Sequence, residues 1–152
     1  MRVDENRAVP FFAGEFSHSL DPKNRVSIPA GWRRGEKTEF FVVPSPNLES
    51  LLAFPPVEFR GVSERVLSDA SLAPRDKQSF LRQFNSKARL CPLDGQGRLL
   101  LPAEMTKLVG IAQAVRLVGN DRRFELWSPE NWSRKIATDS QTYQHVAEAI
   151  GL

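Results

Sequence analysis

Apolar and polar residues alternate one by one over positions 15–20, with Phe16, His18 and Leu20 on one side and Glu15, Ser17 and Ser19 on the other. A period of two predicts a half-buried β-strand. Asp21-Pro22-Lys23-Asn24 follows. An acidic opener, a proline that presets φ and a last residue tolerant of positive φ predict a tight turn. Short apolar runs at 40–43, 51–54, 115–118 and 124–127 predict further strands. Pro29 and Pro102 end the strands before them and are placed to open short helices at the first position. The period changes after Pro74, where Phe80, Leu81, Phe84 and Ala88 share a helical face that excludes Lys77, Arg82 and Lys87. A shorter helix is expected over 62–67. Ser128-Pro129-Glu130 has the cap, first-turn proline and early acid of a helix start. Tyr143, Val146, Ala147 and Ile150 continue at helical spacing into a tail prone to fray. The fold class is α+β with small, bent sheets.

The turn occurs twice. Leu20-Asp21-Pro22-Lys23-Asn24-Arg25-Val26-Ser27-Ile28-Pro29-Ala30 aligns with Leu93-Asp94-Gly95-Gln96-Gly97-Arg98-Leu99-Leu100-Leu101-Pro102-Ala103, 73 residues later. Holding that frame places Val42 on Val115, Asn47 on Asn120, Phe54 on Trp127, Pro56 on Pro129 and Phe59 on Trp132. Two copies are too few for a solenoid and predict a pseudo-two-fold pair. The expected division is a first module at 14–60, a helical connector at 61–86, a second module at 87–132 and a partly helical tail at 133–152.

The 152 residues are 41% hydrophobic and 26% charged, enough for a globular core. The net charge of +3 permits a polyanionic partner without demanding one. No apolar run approaches a membrane span, and Met1-Arg2-Val3-Asp4-Glu5-Asn6-Arg7 lacks the apolar stretch of a secretory signal. Cys91 is the single cysteine, which removes an intrachain disulfide or zinc knuckle and fits a reducing cytoplasm. Followed by Pro92, it reads as a small buried hydrophobe. His18 and His145 have no metal-ligand spacing around them, and no nucleophile elbow, zinc-protease helix or phosphate loop occurs. The expectation is no enzyme, no cofactor, no metal and no small-molecule substrate.

The paired Leu-Asp-x-x-x-Arg-hydrophobic-x-hydrophobic-Pro-Ala signature carries a resemblance. With Phe12-Ala13-Gly14-Glu15 before the first copy and Leu126-Trp127-Ser128-Pro129-Glu130-Asn131-Trp132 after the second, it resembles the MraZ family of bacterial regulators across residues 11–132. The resemblance implies two tandem AbrB-like (SpoVT-AbrB) swapped-hairpin modules, interleaved into one pseudo-two-fold, β-barrel-like unit. It also implies a homo-oligomeric ring that presents the Asp-x-x-x-Arg turns to double-stranded DNA. The expected target is short promoter repeats of the protein's own cell-division and cell-wall gene cluster, which would make it cytoplasmic and nucleoid-associated. The chain departs from the pattern at Asn24, where the family has glycine, at Lys23 against Gln96 in the second copy, and in an N-terminus about ten residues longer.

Arg25 and Arg98 are the candidate DNA contacts, because a guanidinium can pair with a guanine edge or a phosphate through two parallel bonds. An ion pair within the module is the competing account. Lys23 is a candidate phosphate contact or a solvated lysine, and Asn24 and Gln96 complete the candidate loop surface. Asp21 and Asp94 repel an anion, so their expected role is structural: bonding backbone N–H groups across the turn, or orienting the arginine four residues on. Arg33, Arg34 and Lys37, interleaved with Glu36 and Glu39, read as a solvated helix face. The alternative function is an AbrB-like antitoxin or a ring-forming interaction protein without promoter specificity.

Overall fold

Where the apolar run is continuous, both faces of the strand are covered. The computed structural model, which describes residues 11–34 and 39–152, shows this at β4 (Ser50–Phe54). Leu51 and Ala53 enter one core cluster while Leu52 and Phe54 enter another on the opposite face. The remaining strands are β1 (Glu15–Ser19), β2 (Arg25–Ser27), β3 (Glu39–Pro44), β5 (Arg89–Pro92), β6 (Arg98–Leu100), β7 (Ala114–Asn120) and β8 (Arg123–Trp127). The helices are α1 (Pro56–Ser68), α2 (Pro74–Lys87), α3 (Ala103–Leu108) and α4 (Pro129–Ala149), with a 3-10 turn at Ala30–Trp32.

The strands form an antiparallel six-stranded sheet in the order β1-β7-β8-β4-β3-β5 and a two-stranded ribbon of β2 and β6. These sheets do not close into a barrel among the described residues; β1 and β5 remain edges. Each repeat lends its first strand to the other: β1 pairs with β7, and β5 with β3. Val26 faces Leu99 in the ribbon and Leu52 faces Glu125 in the large sheet, each pair being 73 residues apart and therefore lying on the pseudo-two-fold axis.

That frame of 73 does not hold throughout. Phe40 pairs with Cys91 whereas Val115 pairs with His18, the counterpart of Cys91. The structural partner of Phe40 is therefore Val115, and that of Val42 is Leu117. The matches of Val42 with Val115 and of Asn47 with Asn120 are each displaced by two residues. A slip of two leaves every side chain on its original face, so the apolar pattern does not register it. The longer turn between β3 and β4 compensates, and the frame is restored at β8.

Between the ribbon and the large sheet lies the main core. Val26, Ile28, Leu99 and Leu101 meet Phe40, Val42, Leu51, Leu117 and Leu126. Phe12, Trp32, Phe40 and Phe124 form an aromatic group within it, centroids 5.0–6.2 Å apart where they touch. On the outer face Phe59 of α1 stacks on Phe41 and on Phe84 of α2, at 4.4 and 5.1 Å. The equivalent outer face of the second repeat is polar at its centre. Glu125 is buried there, accepting from Trp127 Nε1 (3.0 Å), Asn120 Nδ2 (3.0 Å) and Arg123 Nη2 (2.9 Å).

Several local expectations change. α1 begins at Pro56 rather than near 62, with proline in its first turn. Pro29 and Pro102 precede their helices as N-caps instead of opening them. β1 is mostly exposed because it is an edge strand; Phe16 packs edge-on against the Trp32 ring (5.3 Å) and Leu20, just past the strand, is the buried anchor. The tail is one helix, capped where Ser128 Oγ accepts the Asn131 N–H (3.0 Å) and tied to the body by Asn131 Nδ2 donating to the Glu49 and Val109 carbonyls. The N-terminal extension, Glu36 and Lys37 lie outside the described residues. Cys91 is buried, and burial pushes its thiol up to about 11 against the opposing pull of Arg89, so it stays protonated at neutral pH.

Residues 12–14 run beside β7, where Gly119 allows the close approach: its N–H donates to the Gly14 carbonyl (2.8 Å). A Cβ at 119 would lie 2.6 Å from Ala13 N and from Phe12 C. Backbone cannot yield cheaply. Gly119→Ala should therefore lower stability by ~1–3 kcal/mol or more in chemical denaturation. Gly31→Ala, which meets nothing within 4 Å, serves as the near-neutral control; equal midpoints for the two variants would contradict this account.

Candidate nucleic-acid interface

The two Asp-x-x-x-Arg turns lie side by side because β2 and β6 pair across the pseudo-two-fold axis. Each is closed in the same way. In the first, the Lys23 and Arg25 backbone N–H groups donate to Asp21 Oδ1 (2.9 and 2.8 Å), and Arg25 Nε donates to Asp21 Oδ2 (2.7 Å). In the second, Gln96 and Arg98 N–H donate to Asp94 Oδ1 (both 2.9 Å) and Arg98 Nε to Asp94 Oδ2 (2.8 Å). One carboxylate therefore shapes the turn with one oxygen and aims the arginine with the other. Both structural roles expected of the aspartates are present together.

The arginines also face across the module boundary. Arg25 Nη1 lies 3.7 Å from Asp94 Oδ2 and Arg98 Nη1 lies 3.8 Å from Asp21 Oδ2. These separations are too long for hydrogen bonds. The result is a ring of two carboxylates and two guanidiniums whose side chains are all about a quarter to a third exposed. With Nε committed and the ion pair made, the Nη groups keep their hydrogen-bonding capacity among the described residues. Ion pairing and availability to a ligand are compatible here.

The carboxylates respond electrostatically. Partial burial pushes Asp21 upward, but this is outweighed by the bonds from the Arg25 N–H, the Arg25 side chain and the Lys23 N–H, and by the Arg25 charge; the net shift is downward. Asp94 is lowered chiefly by the Arg98 N–H, opposed by burial and reinforced by the Arg98 side chain and Gln96 N–H.

The loop residues differ in role. Lys23 and Gln96 are exposed, and their side chains make no hydrogen bond among the described residues. Asn24 instead turns inward in the left-handed conformation (φ 62°), its Nδ2 donating to the Leu101 carbonyl (2.8 Å) and to Thr106 Oγ1 (3.3 Å). At the matched place in the second turn, Gly97 (φ 75°) has no side chain, and the guanidinium of Arg33 fills the space. Arg33 Nε donates to the Ile28 carbonyl (2.7 Å). Leu101 and Ile28 are counterparts, as are Thr106 and Arg33 and as are Asn24 and Gly97. A carbonyl served from the turn in one copy is served from the following helical turn in the other. Arg33 and Thr106 were not singled out as partners of the turns from the sequence. The signal was present as a paired change at matched positions, small for large in one place and large for small in the other.

The family described as "MraZ protein, putative antitoxin-like" matches residues 11–83 and again residues 84–151. The chain belongs to the MraZ family. Three relatives, each named transcriptional regulator MraZ, span nearly the whole chain. That of Symbiobacterium thermophilum is 36% identical over 138 residues, covering 91% of this chain and 99% of the relative. That of Syntrophobacter fumaroxidans is 32% identical over 142 residues, covering 91% and 93%. That of Natranaerobius thermophilus is 34% identical over 139 residues, covering 91% and 96%. The interleaved halves are thus tandem MraZ repeats, and the family is one of regulators rather than enzymes.

Two outcomes test the geometry. Thr106→Arg alone overfills the first turn and should cost ~1–3 kcal/mol, and adding Asn24→Gly should recover about half of that loss, since it recreates the arrangement of Gly97 with Arg33. Additive costs in thermal melts would reject the pairing. Acid titration of stability forms the second test. Asp21 and Asp94 are lowered in the folded chain, so their stabilisation is complete above the unfolded value of about 3.9 and is lost as pH falls through the folded values. Asp21→Asn with Asp94→Asn should shrink that acid loss. Asp69, lowered by the hydroxyl and N–H of Ser71, remains and keeps part of it.

Proposed function

We propose that the protein is a sequence-specific DNA-binding transcriptional regulator that acts as a homo-oligomeric ring on short promoter repeats of its own cell-division and cell-wall gene cluster. In this reading residues 14–60 and 87–132 are AbrB-like swapped-hairpin modules joined by the helical segment 61–86 and followed by the tail 133–152, and the protein works in the cytoplasm on the nucleoid. The observation that carries it is the pair of carboxylate-braced arginines, Arg25 and Arg98, held on one short ribbon with Nη groups that face a carboxylate but make no hydrogen bond among the described residues. A guanidinium fixed at Nε loses little entropy on binding and presents a flat fork to guanine O6 and N7 or to a phosphate. Lys23 and Gln96 flank it at the tips as phosphate and polar contacts, and Asn24 keeps the first tip in shape.

One such unit offers few phosphate contacts and binds weakly at cellular salt. A ring of units on successive repeats raises the effective concentration of each further contact and multiplies affinity by ~10²–10⁴. The helical tail supports a dedicated regulator over an antitoxin, since a toxin-wrapping segment works by folding on its partner.

The test is a footprint and salt-dependent gel shift on the gene's upstream region. Arg25→Ala with Arg98→Ala should abolish protection of the repeats while the oligomer and its melting temperature stay close to wild type. Asp21→Ala should lose stability as well as binding, because three donors lose their acceptor. Wild-type protein that ignores the repeats, or a double arginine variant that binds them normally, ends this reading.

A further inference from the structure

We infer that Arg33 is a DNA phosphate contact belonging to the second turn, supplied by the first repeat, and that it equalises the charge of two unequal tips. This rests on the DNA-binding reading above.

The first tip carries one carboxylate and two cations: Asp21, Lys23 and Arg25. The second carries one carboxylate and one cation, because Gln96 stands where Lys23 does. Arg33 makes up the difference. Its guanidinium lies against the second turn: a Cβ on Gly97 would be 2.5 Å from Arg33 Cζ, 2.6 Å from Nε and 2.7 Å from Nη1. It arrives there from the first repeat, at the end of the 3-10 turn anchored by buried Trp32. Its counterpart, Thr106 beside Asn24, is neutral, so no matching charge is added at the first tip.

Arg33 is half-buried and has no carboxylate within salt-bridge distance among the described residues. Its one hydrogen bond there, from Nε to the Ile28 carbonyl, fixes the plane and leaves the Nη groups open. Partial burial of an uncompensated cation is unfavourable. A structural arginine is ordinarily matched by an acid, as Arg25, Arg98 and Arg123 are. An unmatched one set beside a DNA-facing turn fits a backbone phosphate, for which a forked guanidinium is suited.

Arg33→Gln is the informative substitution, because the glutamine Nε2 falls where the arginine Nε does. It preserves a donor to Ile28 and removes the charge together with the Cζ and Nη atoms that rest against Gly97. Binding to the operator should weaken about ten-fold or more, and the slope of log K against log salt should fall by about 0.9 for each engaged subunit. Adding Gln96→Lys returns a cation to the same tip and should restore the slope. Wild-type affinity and slope in Arg33→Gln would overturn the inference, as would a slope that Gln96→Lys leaves lowered. Phenylglyoxal modification of the wild-type protein covers the case in which Arg33→Gln fails to fold. Duplex operator should protect Arg33, and equal modification with and without DNA would also overturn it. Arg25→Ala with Arg98→Ala, run alongside, separates this result from failure of the DNA-binding reading itself.

Discussion

Neither repeat pairs its first strand with itself, and the rest of the molecule follows from that. β1 lies on β7 and β5 on β3, so the six-stranded sheet exists only when both halves are folded together. The same exchange brings β2 against β6 and sets two Asp-x-x-x-Arg turns within about 4 Å of one another. A single repeat would leave its core open and its turn isolated, because small sheets need partners to bury an apolar face. The pairing of the two turns is therefore a consequence of interleaving, not of either repeat alone.

Close approach of two arginines and two aspartates has an electrostatic logic. Two guanidiniums this near would repel, and each aspartate sits between them, bonded to its own arginine and facing the other. The carboxylates thus permit the juxtaposition and hold it in a fixed geometry before any ligand arrives. A polyanion meeting this surface sees aimed donors in place of mobile charges. Affinity gains from contacts that need no further ordering.

Much of this was legible because the governing signals are local. Alternation, apolar runs and turn chemistry located β1, β3, β4, β7 and β8 and both turns, and Pro74 and Ser128-Pro129 marked helix starts. The aspartates were assigned a bracing role from residue type and spacing, which the bonds from Lys23, Arg25, Gln96 and Arg98 fulfil. What escaped was non-local. The cross-boundary facing of Arg25 with Asp94 depends on strand exchange, which no periodicity encodes. The two-residue slip in β3 and β7 was invisible because a period of two is blind to it. Arg33 read as part of a solvated basic run, since nothing in its neighbourhood along the chain shows that it ends beside Gly97, 64 residues away.

The slip and the exchanged packing at the tips show how a duplicated unit can drift while its axis stays intact. Positions on the axis, Val26 with Leu99 and Leu52 with Glu125, tie the copies together directly and hold the frame. Away from it, a change in one copy is tolerated when its spatial partner, which comes from the other copy, changes too. Gly97 makes room for Arg33, and Thr106 leaves room for Asn24, so the carbonyls of Ile28 and Leu101 stay bonded by unlike means. Because those partners cross the boundary between repeats, asymmetry in one turn is answered by the helical turn of the opposite repeat. Backbone shape is then preserved at both tips while the side chains they present are free to differ, as Lys23 and Gln96 do.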